Sequence, residues 1–210
     1  MTAKEPSIPD PPAHPVGLRE RKKIKTRKAI RREAYRLFAE YGYEATTVDR
    51  IAEAAEISPS TFFRYFPTKE DLVLTDEYDP LIDHLMRTAP AGQSLVEVVR
   101  GGLLDALREV LATDRDEMVT RLTLIRTVPA LRARSHEQQL QSWQLFARAF
   151  AERTGRDPDD LELRVAAASI NAAMTEAVMV WSDGGYAQDP VELLDRALRW
   201  LGSGMRPTDT

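Results

Sequence analysis

Cysteine is absent from the 210 residues, so neither a disulfide framework nor a thiolate metal site can be built. Glycine is sparse, at 10 residues, while Ala, Leu, Arg and Glu abound, which favours helix over sheet. The three histidines, His14, His84 and His136, show no H-x-x-x-H or H-E-x-x-H spacing, and no metal site is expected. The patterns G-x-G-x-x-G, the P-loop and G-x-S-x-G are also missing, which removes the signatures of dinucleotide, nucleotide and hydrolase chemistry. Asp157, Asp159 and Asp160 cluster, but a place at a helix start accounts for them without catalysis. No basic segment followed by an apolar stretch opens the sequence, and no uninterrupted apolar run is long enough for a bilayer. These absences point to a cytoplasmic protein with no membrane partner, no cofactor and no catalytic residues.

Charge is present but unevenly placed. The net charge is −4, yet residues 1–70 hold 14 Lys or Arg against 10 Asp or Glu, a balance of +4, and residues 71–210 hold 15 against 23, a balance of −8. All six lysines fall at or before Lys69. A basic head and an acidic body orient the chain toward a polyanion. The densest run is Arg19, Arg21, Lys22, Lys23, Lys25, Arg27 and Lys28, which suits phosphates or a minor-groove arm, or equally a solvated helix start. Before it, Pro6, Pro9, Pro11, Pro12 and Pro15 block regular structure, and residues 1–18 are read as a flexible tail.

From Ile24 the apolar positions Ile30, Ala34, Leu37, Phe38 and Tyr41 keep helical spacing, and Gly42 is a stop. Val48, Ile51, Ala52 and Ala55 then mark one face of a short helix. After Glu56-Ile57, Ser58 offers a capping hydroxyl and Pro59 fits the first helical position, where a missing N–H costs nothing. Phe62 and Phe66, four apart, point inward, leaving Ser60, Thr61, Arg64 and Tyr65 toward solvent with Phe63 beside them. Two helices joined by a tight turn, the second presenting short hydroxyls near its start, form a helix-turn-helix arrangement.

These features together, Thr-Thr-Val-x-x-Ile-Ala, Ser-x-x-Thr-Phe-Phe-x-Tyr-Phe and a following Lys, resemble the N-terminal domain of TetR-family transcriptional regulators over roughly residues 24–74. The resemblance implies that Ser60 and Thr61 face base edges, that Tyr65 and Lys69 face phosphates, and that Thr47 caps a helix and touches the DNA backbone. Phe63 stands where the family most often has Tyr, so its ring packs without a hydroxyl to offer phosphate. With the basic residues, the candidate DNA contacts are Lys25, Arg27, Thr47, Ser58, Ser60, Thr61, Phe63, Arg64, Tyr65 and Lys69. A helix pair serving only as core, its hydroxyls touching nothing, is the alternative.

Capping signals divide the rest. Thr68 and Asp71 form a reciprocal start, Asp79-Pro80 a kink or fresh start, and Ser94 to Glu97 a capping box opening a helix to about Thr113. Its buried stripe is Val96, Val99, Leu103, Leu107 and Val110. Gly101-Gly102 within it costs about 1 kcal/mol per Gly against Ala, which fits either a bend beside a cavity or close crossing by another helix. Further helices are expected from Asp114 to before Pro129, from Ala130 to Arg153 with Leu140, Trp143, Leu145, Phe146 and Phe150 as its apolar body, from Asp157-Pro158 to Ser182, and after Asp189. The segment Val165 to Trp181 is apolar nearly all round, so one side should meet its own chain and another a second subunit. Ala166, Ala167, Ala168, Ala172 and Ala173 would allow close approach, between subunits or within one.

The expected fold is all-α, with an N-terminal three-helix helix-turn-helix DNA-binding domain over residues 19–70 and a C-terminal helical ligand-binding and dimerisation domain over 71–205. The resemblance implies a homodimer, a double-stranded DNA operator and a small-molecule effector, and the C-terminal half is similar to members bound by acyl-coenzyme-A-like effectors. Met118, Leu122, Trp143, Phe146, Asn171 and Met174 combine bulk, adaptability and one polar group, as a pocket for an apolar molecule requires, or simply form core. Arg121, Arg126, Arg132 and Arg134 meet an anionic head group or solvent. A ligand-independent architectural DNA binder, or an all-helical carrier or enzyme, are the other classes compatible with the pattern.

Overall fold

The protein is described here by a computed structural model covering residues 18–75 and 79–206. Those residues form ten helices and, among themselves, no strand. They are α1 (Leu18–Tyr41), α2 (Val48–Ala54), α3 (Pro59–Tyr65), α4 (Lys69–Leu74), α5 (Asp79–Thr88), α6 (Leu95–Thr113), α7 (Arg115–Thr127), α8 (Pro129–Thr154), α9 (Leu161–Asp183) and α10 (Pro190–Gly202). Of the expected tail over residues 1–18, residues 1–17 lie outside the described residues, and Leu18 belongs to α1 instead.

Local chemistry sets most boundaries. Gly42, at φ +84°, ends α1 in the left-handed region that favours glycine. The hydroxyls of Thr47, Ser58 and Thr68 each accept a backbone N–H three residues on, from Arg50, Thr61 and Asp71. Ser94 and Glu97 complete the reciprocal box at the start of α6, and Pro129 and Pro190 sit in the first turns of α8 and α10. Helix α1 begins at Leu18, so the basic run from Arg19 lies on a helix start, one of the two readings its sequence allows. Two boundaries depart from expectation. Helix α9 begins at Leu161 with Asp160 as its cap, because Asp157 instead accepts the Asp159 N–H in a preceding turn. Asp114 precedes α7 without capping it; its carboxylate is taken by Lys28, 2.8 Å away.

Two hydrophobic clusters hold the fold. The first fills the head: Ile30, Ala34, Leu37, Phe38, Ile51, Phe62, Phe66 and Leu72 are buried together, and Leu131 of α8 joins them. The second fills the body around Val99, Phe146, Phe150, Ile170, Trp181 and Leu198. On α6 the inward face includes Val98 and Leu104, while Val96, Leu107 and Val110 are only partly covered. Gly102 is where α5 crosses α6: a Cβ there would overlap the Leu85 side chain, whereas Gly101 faces open space. The Gly pair thus serves a close helix crossing at one of its two positions.

The junction between head and body is polar as well as apolar. The last carbonyls of α4 are held by two arginines from opposite sides. Arg31 of α1 donates to Leu72 and Thr75 (3.3 and 2.9 Å), and Arg121 of α7 donates to Val73 and Leu74 (2.8 and 3.2 Å). Cations at a helix C-terminus complement the macrodipole and satisfy carbonyls the helix leaves open. Asp71 accepts from Arg134 of α8 at 2.8 Å rather than reaching back to cap α4. The expected boundary after residue 70 therefore falls inside a helix bound on both sides.

Helix α9 is long and apolar enough to cross a membrane, but Ala167, Ile170 and Trp181 are fully buried within the body cluster. Its other face is open: Leu161, Val165, Ala168, Ala172 and Met179, spaced by three, four or seven residues, are exposed, as is Trp200 on α10. The alanine run divides accordingly, with Ala167 inside and Ala168 and Ala172 outside.

Candidate nucleic-acid interface and effector cavity

The head presents one polar edge, and its geometry follows from the anchoring of α3. Phe62 and Phe66 are fully buried, 5.8 Å apart between ring centroids, which turns the intervening residues outward. Ser58 Oγ accepts the Thr61 N–H at 3.2 Å and lies 2.9 Å from both Ser60 Oγ and Thr61 Oγ1. Three hydroxyls are thereby gathered at the start of α3. Ser58 and Ser60 are exposed and Thr61 is half-buried. Phe63 is 50% exposed, its ring edge-on to Phe62, and Arg64 is exposed with its guanidinium 5.5 Å from the Tyr65 ring.

The flanking candidates fall into two sets. Thr47, at the α2 cap, and Lys25, on α1, are exposed. Arg27 and Lys69 are turned inward. Arg27 donates to the Tyr65 carbonyl at 3.4 Å and packs 5.4 Å from the Phe66 ring centroid. Lys69 donates to the carbonyls of Tyr43 and Thr46 at 2.9 and 3.2 Å and sits 4.1 Å from the Tyr43 ring centroid. These two cations fix the frame: Arg27 ties α1 to the end of α3, and Lys69 ties the α1–α2 turn to α4. The same turn is pinned by buried Thr46, whose hydroxyl donates to the Gly42 carbonyl at 2.8 Å. Arg50, over the exposed Tyr41 ring at 4.1 Å, is a further outward cation of the head that periodicity alone did not single out.

The body encloses a cavity of about 700 Å³ running from its core to α1. Of the six pocket candidates, Met118, Leu122, Phe146, Asn171 and Met174 line it. Trp143 does not; it packs on the body cluster with the Arg164 guanidinium 5.3 Å from its ring. Ile82, Leu103, Leu107 and Leu194 complete the apolar wall. The end near the head is polar, formed by Lys28, Arg31, Asp114, Glu117 and Arg121. Burial holds the Glu117 carboxyl above its ordinary value despite Arg31, Lys28 and Arg121 nearby. Tyr35 lies on the head side of the same junction: burial pushes its phenol up to about 12 against the opposing influence of Arg121 and Arg31. Its hydroxyl has no hydrogen-bond partner among the described residues. Of the other arginines considered from sequence, Arg126 donates to the Ser182 carbonyl and Asp183, Arg134 pairs with Asp71, and Arg132 is exposed. Sequence reasoning missed Lys28 and Arg31 as cavity residues, because only the approach of α1 to α7 brings them there.

Comparison with known proteins agrees with both halves. Residues 30–75 match the pattern of bacterial regulatory proteins of the tetR family, and residues 93–206 match the MftR C-terminal domain. The HTH-type transcriptional regulator TcmR of Streptomyces glaucescens is 36% identical over 166 residues, covering 74% of this chain and 71% of its own. The HTH-type transcriptional repressor AcnR of Corynebacterium diphtheriae is 30% identical over 176 residues, 80% and 87% of the two chains. Among solved structures, Thermus thermophilus FadR, a TetR-family transcriptional repressor in complex with lauroyl-CoA, superposes with a TM-score of 0.54 at 28% identity, covering 88% of this chain and 97% of FadR.

Proposed function

This chain belongs to the tetR family of bacterial regulatory proteins and is a DNA-binding transcriptional regulator; from that premise we propose that it is a cytoplasmic homodimeric repressor released from its operator by a small molecule held in the body cavity. The observation that carries the reading is the coexistence of an outward hydroxyl edge on α3 with a cavity whose wall includes α1 of the same head. Ser60 and Thr61 read base edges. Arg64 and Tyr65, with Lys25, Arg50 and Thr47, meet phosphates, while Arg27 and Lys69 act from inside by holding α3 and α4 in place.

The exposed face of α9, with Trp200, is the surface for the second copy, which places two heads on one duplex. The effector has an apolar body, as the cavity wall requires, and an acyl chain of the kind bound by FadR has suitable chemistry. An architectural DNA binder has no use for a 700 Å³ hole at the head junction, and catalysis is not part of this proposal.

The test is selection from a random duplex library by the intact protein, followed by titration at several salt concentrations. A repressor of this design enriches a two-fold symmetric motif with half-sites about 34–36 Å apart or a multiple of that. Its affinity for the motif falls steeply with salt through counterion release. No enriched motif, or a flat salt profile, would refute the reading.

A further inference from the structure

We infer that the part of the effector held in the cavity is uncharged, and that Asn171 fixes it by one polar function, a carbonyl, hydroxyl or carboxamide, set in an otherwise apolar body. This rests on the cavity being the effector site. The charged groups of the wall are matched in number, Lys28, Arg31 and Arg121 against Glu109, Asp114 and Glu117. The bases are engaged with the protein itself: Lys28 pairs with Asp114 at 2.8 Å, and the two arginines donate to the last carbonyls of α4. Glu109 is exposed, where water screens its charge, and burial pushes Glu117 toward its neutral form. An anionic ligand would have to break the bonds of the arginines beside acidic neighbours. A cationic one finds Asp114 already paired and Glu117 drawn toward neutrality. An ionised group left unpaired in a half-enclosed apolar hole costs far more than a neutral polar one.

Asn171 is placed differently from these charged groups. It lines the cavity from α9, is half-buried, and its side chain makes no hydrogen bond among the described residues. Met174 and Val178, three and seven residues on, share its face of the helix and line the cavity with it. Ala168, Ala172 and Met179 carry the exposed face, so Asn171 lies on the ligand side of α9 and not on the side open to a second copy. Met118, Leu122 and Phe146 make the wall apolar. A carboxamide has one acceptor oxygen and two N–H donors. It donates to a ligand carbonyl, exchanges either role with a hydroxyl, and makes both bonds at once with another amide. A wholly apolar molecule fills the same space but desolvates the carboxamide without pairing it, which weakens binding. Selection among neutral molecules follows from that one uncommitted side chain.

The experiment uses the full-length protein and a set of probes on one ring system: naphthalene, 2-naphthol, 2-naphthamide, 2-naphthoate and 2-naphthylmethylamine, the last cationic at neutral pH. Calorimetric titration is expected to rank 2-naphthamide first and to find both ions on the order of tenfold or more weaker. Asn171→Leu, a change of shape small enough to keep the wall, should weaken 2-naphthamide and 2-naphthol about three- to tenfold. Naphthalene should bind that variant as before, which shows the cavity intact. Asn171→Asp should turn the preference toward 2-naphthylmethylamine. Tightest binding of either ion by the wild type overturns the inference while leaving the cavity as a ligand site. An equal response of naphthalene and 2-naphthamide to Asn171→Leu overturns it too, by making Asn171 a packing residue. If none of the probes binds, the effector reading itself fails and takes this inference with it.

Discussion

The head packs α1 to α4 around a filled core, with Ile30, Ile51, Phe62, Phe66 and Leu72 almost wholly buried, and has the candidate DNA contacts Ser58, Ser60, Phe63 and Arg64 outside. The body packs longer helices and leaves about 700 Å³ between them, with five of the six pocket candidates lining that space. A filled core makes a rigid edge, which suits reading bases. A hole lined by Met118 and Met174 has unbranched, adjustable side chains, which suits admitting and releasing a molecule. The contrast teaches that rigidity and adaptability are separated in this chain, and that they meet at α4.

The largest effects should come from removing that filled core. Phe62→Ala is expected to cost about 3–5 kcal/mol and to abolish DNA binding by unfolding the head, while Trp181→Ala, at a similar cost, should instead destroy the body. Chemical denaturation followed by far-ultraviolet circular dichroism checks whether the two variants lose one unit first or both together. A single shared transition for both would show that α4 and Leu131 fuse head and body into one cooperative unit.

Cutting the junction comes next. Asp71→Asn leaves Arg134 facing a neutral amide in a mostly covered site and is expected to cost about 1–3 kcal/mol. A double-mutant cycle with Arg134→Gln should return a coupling energy, and additivity would mean that the ion pair does not fasten the head.

Within the body, the two adjacent glycines offer an internal control. Gly102→Ala should destabilise by about 1–3 kcal/mol because the new methyl meets Leu85. Gly101→Ala, facing open space in mid-helix, should stabilise by about 0.5–1 kcal/mol. Thermal melts decide, and shifts of the same sign would contradict the described crossing of α5 and α6.

The smallest expected effect concerns pH. The raised value of Glu117 in the folded state means that the native protein holds this proton more tightly than the unfolded chain does. Stability from this group is therefore present below the ordinary Glu range and is lost as pH rises through the folded value. Glu117→Gln should remove that loss, leaving the variant relatively more stable at neutral than at acid pH. Denaturant midpoints across pH 4 to 8 measure it, and an opposite slope would place the arginines, not burial, in control.

The same contrast explains what is legible in the sequence. The α3 edge is built from consecutive residues, and the cap, the proline and the inward phenylalanines are all local signals, so its helix and its outward face were legible from Ser58 to Phe66. Five of the six pocket candidates line the cavity because bulky adaptable residues on the inner faces of long helices point to the same interior. Trp143 falls outside it because position along α8 does not reveal which side of the helix the neighbours leave open. Arg27 and Lys69 have their polar ends turned to carbonyls set by how α1, α3 and α4 meet, and Asp71 and Asp114 left their expected caps for cations 63 and 86 residues away in sequence. Partners that distant leave no periodic trace.

Most direct for the central claim, that the α3 hydroxyl edge reads DNA while its surroundings grip it, is the affinity of wild type, Thr61→Ala and Tyr65→Phe for a selected site and for random duplex at one fixed salt concentration. The account predicts that Thr61→Ala loses about 1–3 kcal/mol on the selected site and little on random duplex, and that Tyr65→Phe weakens both by the same factor. Identical behaviour of the two variants on both duplexes would contradict it.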